Sequence, residues 1–196
     1  MFRRSFLLYL FPVLLSNVQA AVDLTPVVTD VVEDGAKYRE ASFKTPEGKL
    51  TFVLPPGWTI RGQKDRAQLT SGDKLSDAVI EAVPMQKPEA LDEAAITKFK
   101  QQVLAALPPG SAKVTTVAEA PNSIMPGGYP SFEFVISYDL WGKGYQRSVV
   151  LVNGPQDRLT FRFTCAQLDF TVLNTNFRRS VMTWRAVATN QPPEAR

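Results

Sequence analysis

Two prolines and a glycine, Pro55-Pro56-Gly57, cut short a run of alternating residues and fix where one strand must end. Leu50, Phe52 and Leu54 alternate with Thr51 and Val53. A period of two puts three bulky apolar groups on one face of a strand. Pro55 has no backbone donor, so the hydrogen-bonded ladder stops there. Gly57 is free to take a positive φ in the tight turn that follows. Trp58, Thr59 and Ile60 resume an extended pattern. Trp58 has two readings. It plugs the end of the core beneath the turn, as buried aromatics do, or it lines a pocket and docks a partner.

The rest of the chain divides by the same logic. Residues 21–44 hold the pairs Val27-Val28 and Val31-Val32 among acids and read as an N-terminal arm or an edge strand. Leu69 to Ser71 and Ala78 to Val83 read as neighbouring strands turning through Gly72-Asp73-Lys74. Pro88 opens a helix whose Leu91, Ala95, Phe99, Val103 and Leu107 share one face, until Pro108-Pro109-Gly110 stops it. Lys113 to Glu119 is a short strand, and Ala120 to Pro130 is a long loop with room for function. Phe132 to Trp141 and Tyr145 to Val152 form a hairpin around Gly142-Lys143-Gly144. A three-residue turn there sets Asp139 opposite Arg147 and Trp141 opposite Tyr145. It also puts Phe132, Phe134 and Ile136 on one face, with Val135, Val149 and Leu151 on the other. Leu159, Phe161, Phe163 and Cys165 alternate in the next strand. Asp169 caps a last helix carrying Phe170, Leu173, Phe177, Val181 and Trp184 at helical spacing. The expectation is an α+β fold, an antiparallel sheet with helices packed on both faces. It forms one domain over residues 45–187, with a flexible tail at 188–196.

The strand ending in Leu54-Pro55, followed by Gly57-Trp58, resembles the opening motif of PsbP-type domains. That superfamily includes the extrinsic PsbP protein of photosystem II, the Mog Ran-binding proteins and bacterial exported DcrB-like proteins. The order of elements is similar over residues 49–187. The resemblance implies an α/β/α sandwich and a non-catalytic assembly, stabilising or binding role. Metal-associated histidines of some PsbP members have no counterpart, because this chain contains no histidine. A Ran-binding role does not suit an exported chain.

Export is expected from Met1 to Ala20. Arg3 and Arg4 precede an apolar run from Phe6 to Leu15, and Val18-Gln19-Ala20 offers small residues where a signal peptidase reads. Both a cleaved segment and an uncleaved anchor fit this pattern, and the destination is periplasmic or secreted. No cysteine lies near position 20 for lipid attachment, which favours a soluble exported form. Cys165 is the only thiol, so no internal disulfide forms.

The missing histidine also excludes Ser-His-Asp and Cys-His nucleophilic machinery and most zinc or copper sites. No glycine-rich phosphate loop or calcium loop is present. Glu133 and Asp139 share strand parity but stand about 20 Å apart along a strand, too far to work on one bond. A Ser–Lys pair is open in principle. No cofactor is expected, and enzyme activity is not.

Charge points to partners weakly. Without Arg3 and Arg4 the net charge falls from +3 to +1, split as −4 over residues 21–140 and +5 over residues 141–196. Nucleic acid therefore has little support. Arg178, Arg179 and Arg185 are either a basic face for an acidic partner or anionic lipid, or ordinary solvated surface. Trp58, Tyr129, Trp141 and Tyr145 near strand ends are candidates for a partner or ligand surface. The leading expectation is a monomeric exported accessory or binding protein acting on another envelope component. The alternatives are a small-ligand or membrane-surface binder and an atypical hydrolase.

Overall fold

The ladder stops where Pro55 requires. In the computed structural model, which describes residues 22–188, the strand holding Phe52 ends at Val53. The Trp58 amide donates to the Pro55 carbonyl at 3.1 Å and closes the turn, with Gly57 at φ +78°. Residues 1–21 and 189–196 lie outside the described residues, and with them the expected signal segment and nearly all of the expected tail.

The strands are β1 (Asp23–Glu33), β2 (Ala36–Thr45), β3 (Gly48–Val53), β4 (Thr59–Gln63), β5 (Arg66–Thr70) and β6 (Ser76–Pro84). Helix α1 (Glu93–Ala105) leads to β7 (Ala112–Pro121), β8 (Ser131–Leu140), β9 (Lys143–Asn153) and β10 (Asp157–Ala166). Helix α2 (Phe170–Met182) and β11 (Arg185–Ala188) follow. The strands form two antiparallel sheets, not one. The small sheet runs β1-β2-β3-β11 and the large one β4-β5-β6-β10-β9-β8-β7. The segment expected as an arm or edge strand supplies, over its described residues 22–44, both β1 at the edge and most of β2 inside the small sheet. The start of β1 crosses β4, where the Leu24 amide donates to the Lys64 carbonyl at 2.6 Å. A Cβ at Gly62 would collide with the Leu24 carbonyl there, so only glycine permits the approach.

Two apolar clusters follow from strand parity. Trp184 meets Phe43, Phe52 and Phe161 at 5.3, 6.0 and 5.2 Å between ring centres, which joins the small sheet to the large one. Trp58 sits 6.2 Å from Phe163 and 6.4 Å from Phe177 of α2 in the same cluster. In the second cluster Phe99 and Val103 of α1 lie on Phe132, Phe134, Ile136, Val149 and Leu151. Among the described residues no helix is long and apolar enough to cross a membrane.

Three local expectations change. Helix α1 begins after Asp92, not at Pro88, because the Asp92 carboxylate accepts the Ala95 amide at 2.8 Å and caps the first turn. Asp169 occupies the corresponding position of α2 but makes no capping hydrogen bond with its side chain. The β8–β9 turn has two residues, Trp141 and Gly142, at φ +52° and +77°. Asp139 therefore faces Gly144, and Arg147 faces Ile136. Asp139 pairs instead with Lys113 at 2.9 Å. The same register brings Val149 and Leu151 to the face of Phe134, and leaves Val150 and Val152 with Val135.

Candidate functional site

The residues singled out from the sequence go to separate places. Trp58 is 5% exposed and belongs to the core, so the partner-docking reading of it is corrected. Arg39 donates to its carbonyl and fixes the turn. Tyr145 is half-buried and stacks on Tyr138 at 5.8 Å, not on Trp141. Tyr129 is exposed and borders a cavity of about 110 Å³ with Leu50, Leu159 and Ala186. The expected long loop beside it is pinned. Asn122 accepts the Ser131 amide at 2.9 Å, Ser131 donates to the Ile124 carbonyl, and the Gly127 amide donates to the Trp184 carbonyl at 2.9 Å.

The three arginines do not act as one face. Arg178 turns inward to Glu133, which is only 3% exposed on β8. Ser123 and Ser148 donate to the same carboxylate at 2.6 and 2.8 Å. Burial pushes the Glu133 carboxyl up, and the bonds from Arg178, Ser123 and Ser148 outweigh it and hold the group below its ordinary value. Arg185 lies 3.6 Å from Glu40 and donates to Thr51 at 3.3 Å. Arg179 stays exposed.

Reactive groups fare no better. Burial, then Asp169 and Asp77, push the Cys165 thiol up to about 12, far from a nucleophile at neutral pH. Ser71 and Lys74 do stand at Ser-x-x-Lys spacing. They lie on a turn, however, where Ser71 donates to Asp73 and to the Ser76 carbonyl. Among the described residues no cluster of three or more Cys, Asp or Glu is arranged to hold a metal ion.

Trp141 is different. It is 85% exposed, at the tip of the β8–β9 hairpin, in the left-handed backbone region. Two-residue turns of this kind favour Asn-Gly, because φ is positive at both positions. A bulky aromatic there is strained and gains little packing in return, its indole only approaching Gly110. Strand order places two more large apolar side chains at the same end of the large sheet. Leu75 precedes β6 and is 64% exposed, and Leu168 follows β10 and is 98% exposed. At roughly 5 Å per strand, the three span about three strand spacings. The charged groups between them are mixed in sign: Lys74, Lys113 and Lys143 against Asp73, Asp139 and Asp169. Sequence reading missed both leucines. The signal was available, since Leu75 and Leu168 fit neither the strand alternation nor the helical stripe next to them.

The arrangement of strands and helices can be set against solved structures. The solution structure of cyanobacterial PsbP (CyanoP) from Synechocystis aligns over 82% of this chain and 92% of its own, with a TM-score of 0.54 and 10% identity. The chain has a PsbP-like fold. Mycobacterium tuberculosis LpqN, described as involved in cell envelope biogenesis, aligns over 80% of this chain and 87% of its own, with a TM-score of 0.46 and 15% identity. A Bacteroides thetaiotaomicron structure aligns over 72% of this chain at a TM-score of 0.45 and 11% identity, and the chain spans 46% of its length. No protein-family model matches the sequence, and no curated protein does. Within the PsbP-like fold, the Trp141 end is formed by connections between strands, where side chains can vary without disturbing either sheet.

Proposed function

We propose that this protein is an exported, non-catalytic accessory module that docks on another protein of the cell envelope through the Trp141 end of its large sheet. In this reading it is an α/β/α sandwich, with α1 and α2 on opposite sides of that sheet. The observation that carries the docking reading is the exposed tryptophan held at positive φ. A chain gains little in stability from that choice, and tryptophan is among the residues enriched in the energetic centres of protein interfaces. The balanced charges around it favour a protein partner over anionic lipid, which would select an excess of lysine and arginine. Export is supported by the sequence of Met1 to Ala20.

The test is affinity capture of the tagged protein from the envelope of its source cell, beside the Trp141→Asn and Leu168→Gln variants. One stoichiometric protein, captured by the wild type and lost with both variants, is the expected result. Capture that survives both substitutions moves the interface elsewhere, and an empty capture at low salt overturns the reading.

A further inference from the structure

A second surface on the molecule carries a different chemistry, independent of the Trp141 end. Helix α1 covers only the β8 and β9 part of its sheet face. Beyond its edge the same face continues over β10, β6, β5 and β4 as rows of mostly polar residues, with Val79 buried among them. By register, Arg162, Val79, Gln68 and Arg61 form one row, and Thr160, Glu81 and Arg66 form the next. Where the helix edge meets these rows there is a groove of about 170 Å³. Arg147, Arg162 and Thr160 line it from the sheet, and Gln102 lines it from α1. Phe99, Val103 and Val149 give it an apolar wall.

The guanidinium groups are the unusual feature. Arg147 is 7% exposed, yet no carboxylate pairs with it. It donates only to neutral groups: Thr164 at 3.1 Å, the Ala106 carbonyl at 3.3 Å and the Tyr138 hydroxyl at 3.5 Å. A buried charge without a counter-charge is costly, and such charges are ordinarily paired. Arg162 is half-buried beside it and makes no hydrogen bond or ion pair among the described residues. Glu81, the one acid on the groove wall, is already neutralised by Arg66 at 3.0 Å. Asp77 acts on both guanidiniums only through space. The wall therefore keeps an uncompensated positive charge in a partly dry setting, next to a hydroxyl and an amide.

We propose that this groove is a binding site for an oxyanion, phosphate or carboxylate, attached to a short apolar group. Arg162 and Arg147 hold the anion, since a guanidinium fork matches two oxygens at once. Thr160 and Gln102 supply neutral donors. The apolar part of the ligand lies on Phe99, Val103 and Val149. At about 30 Å³ per water in the liquid, the groove has room for a head group with a few methylenes and not for a whole lipid.

Isothermal titration calorimetry of the purified protein tests this, with inorganic phosphate, hexyl phosphate, hexanoate and hexanol as probes. Hexyl phosphate is expected to bind at one saturable site and more tightly than inorganic phosphate, with hexanol silent. Arg162→Gln should weaken it about tenfold or more, the effect of losing one charged hydrogen-bonding partner, with an unchanged unfolding midpoint. Arg61→Gln, on the same face outside the groove, should leave binding intact. Vesicles containing phosphatidylglycerol separate the two sources of such an anion. Vesicle binding displaced by hexyl phosphate assigns a lipid head group, and binding of the soluble probe alone assigns a free metabolite. No saturable binding of any oxyanion, or equal affinity in the Arg162→Gln variant, overturns the proposal.

Discussion

Glu133 shows what a single buried charge demands of its neighbours. Its carboxylate is held by Arg178, Ser123 and Ser148 and stays ionised below its ordinary titration range. A depressed value in the folded state means that the group stabilises the fold above the unfolded value, near 4.5. That contribution is lost as pH falls through the folded value. Urea titrations from neutral pH downward should therefore show an acid-dependent loss of stability that Glu133→Gln makes shallower. Arg178→Ala leaves the carboxylate buried with two hydroxyl donors and should cost about 2–3 kcal/mol at neutral pH. Cys165 gives a second test at this scale. With its thiol pushed up to about 12 by burial, labelling by a thiol reagent near neutral pH should be negligible in the native protein. It should become fast in urea, with a rate that follows the population of opened chains. A labelled native thiol would contradict the packing of β10 described above. Both residues were named from the sequence, Glu133 as a carboxylate at the same strand parity as Asp139 and Cys165 as the lone cysteine. The pairing of Glu133 with Ser123 and Arg178 was not legible, because they are 10 and 45 residues away from it.

At the scale of elements, alternation and helical spacing identified strands and helices well, and the turns between them poorly. Leu50, Phe52 and Leu54 face the core, and the last helix docks Phe170, Phe177 and Val181 as its spacing requires, while Trp184 enters the same core from beyond the helix end at Met182. The β8–β9 hairpin was misjudged because glycines at 142 and 144 point to a turn at 142–144, while the chain turns at Trp141-Gly142. The turn starts one residue earlier and ends two earlier than expected, so every cross-strand partner moved by three residues, Trp141 was separated from Tyr145 and Arg147 came to border a groove. The cause is physical: nothing in a local pattern favours tryptophan at positive φ, so sequence reading avoids the turn that occurs. The Trp141→Asn variant measures this strain. It should raise stability by about 1 kcal/mol, the scale of the left-handed penalty for a non-glycine residue, even as it abolishes capture of a partner. A variant that loses both stability and capture would show that Trp141 packs within the molecule.

For the whole molecule, the sequence specified an antiparallel α+β arrangement and left open how many sheets it makes. Period-two alternation says that a segment is a strand, and it does not say which neighbour it joins. The small sheet joins strands far apart in sequence, since β11 lies against β3 with Arg185 opposite Thr51 and Ala188 opposite Gly48. Removing residues 185–196 should leave β3 as an open edge, lower the unfolding midpoint and keep a single transition, which circular dichroism can follow. A chain with an unchanged midpoint would mean that β11 contributes no stability. The pairing of β11 with β3 also has a meaning in time. A nascent chain emerges from its N-terminal side, so β3 waits more than a hundred residues for its last neighbour. Until residues 185–188 have been made, the small sheet stays one strand short and the outer side of β3 stays unpaired.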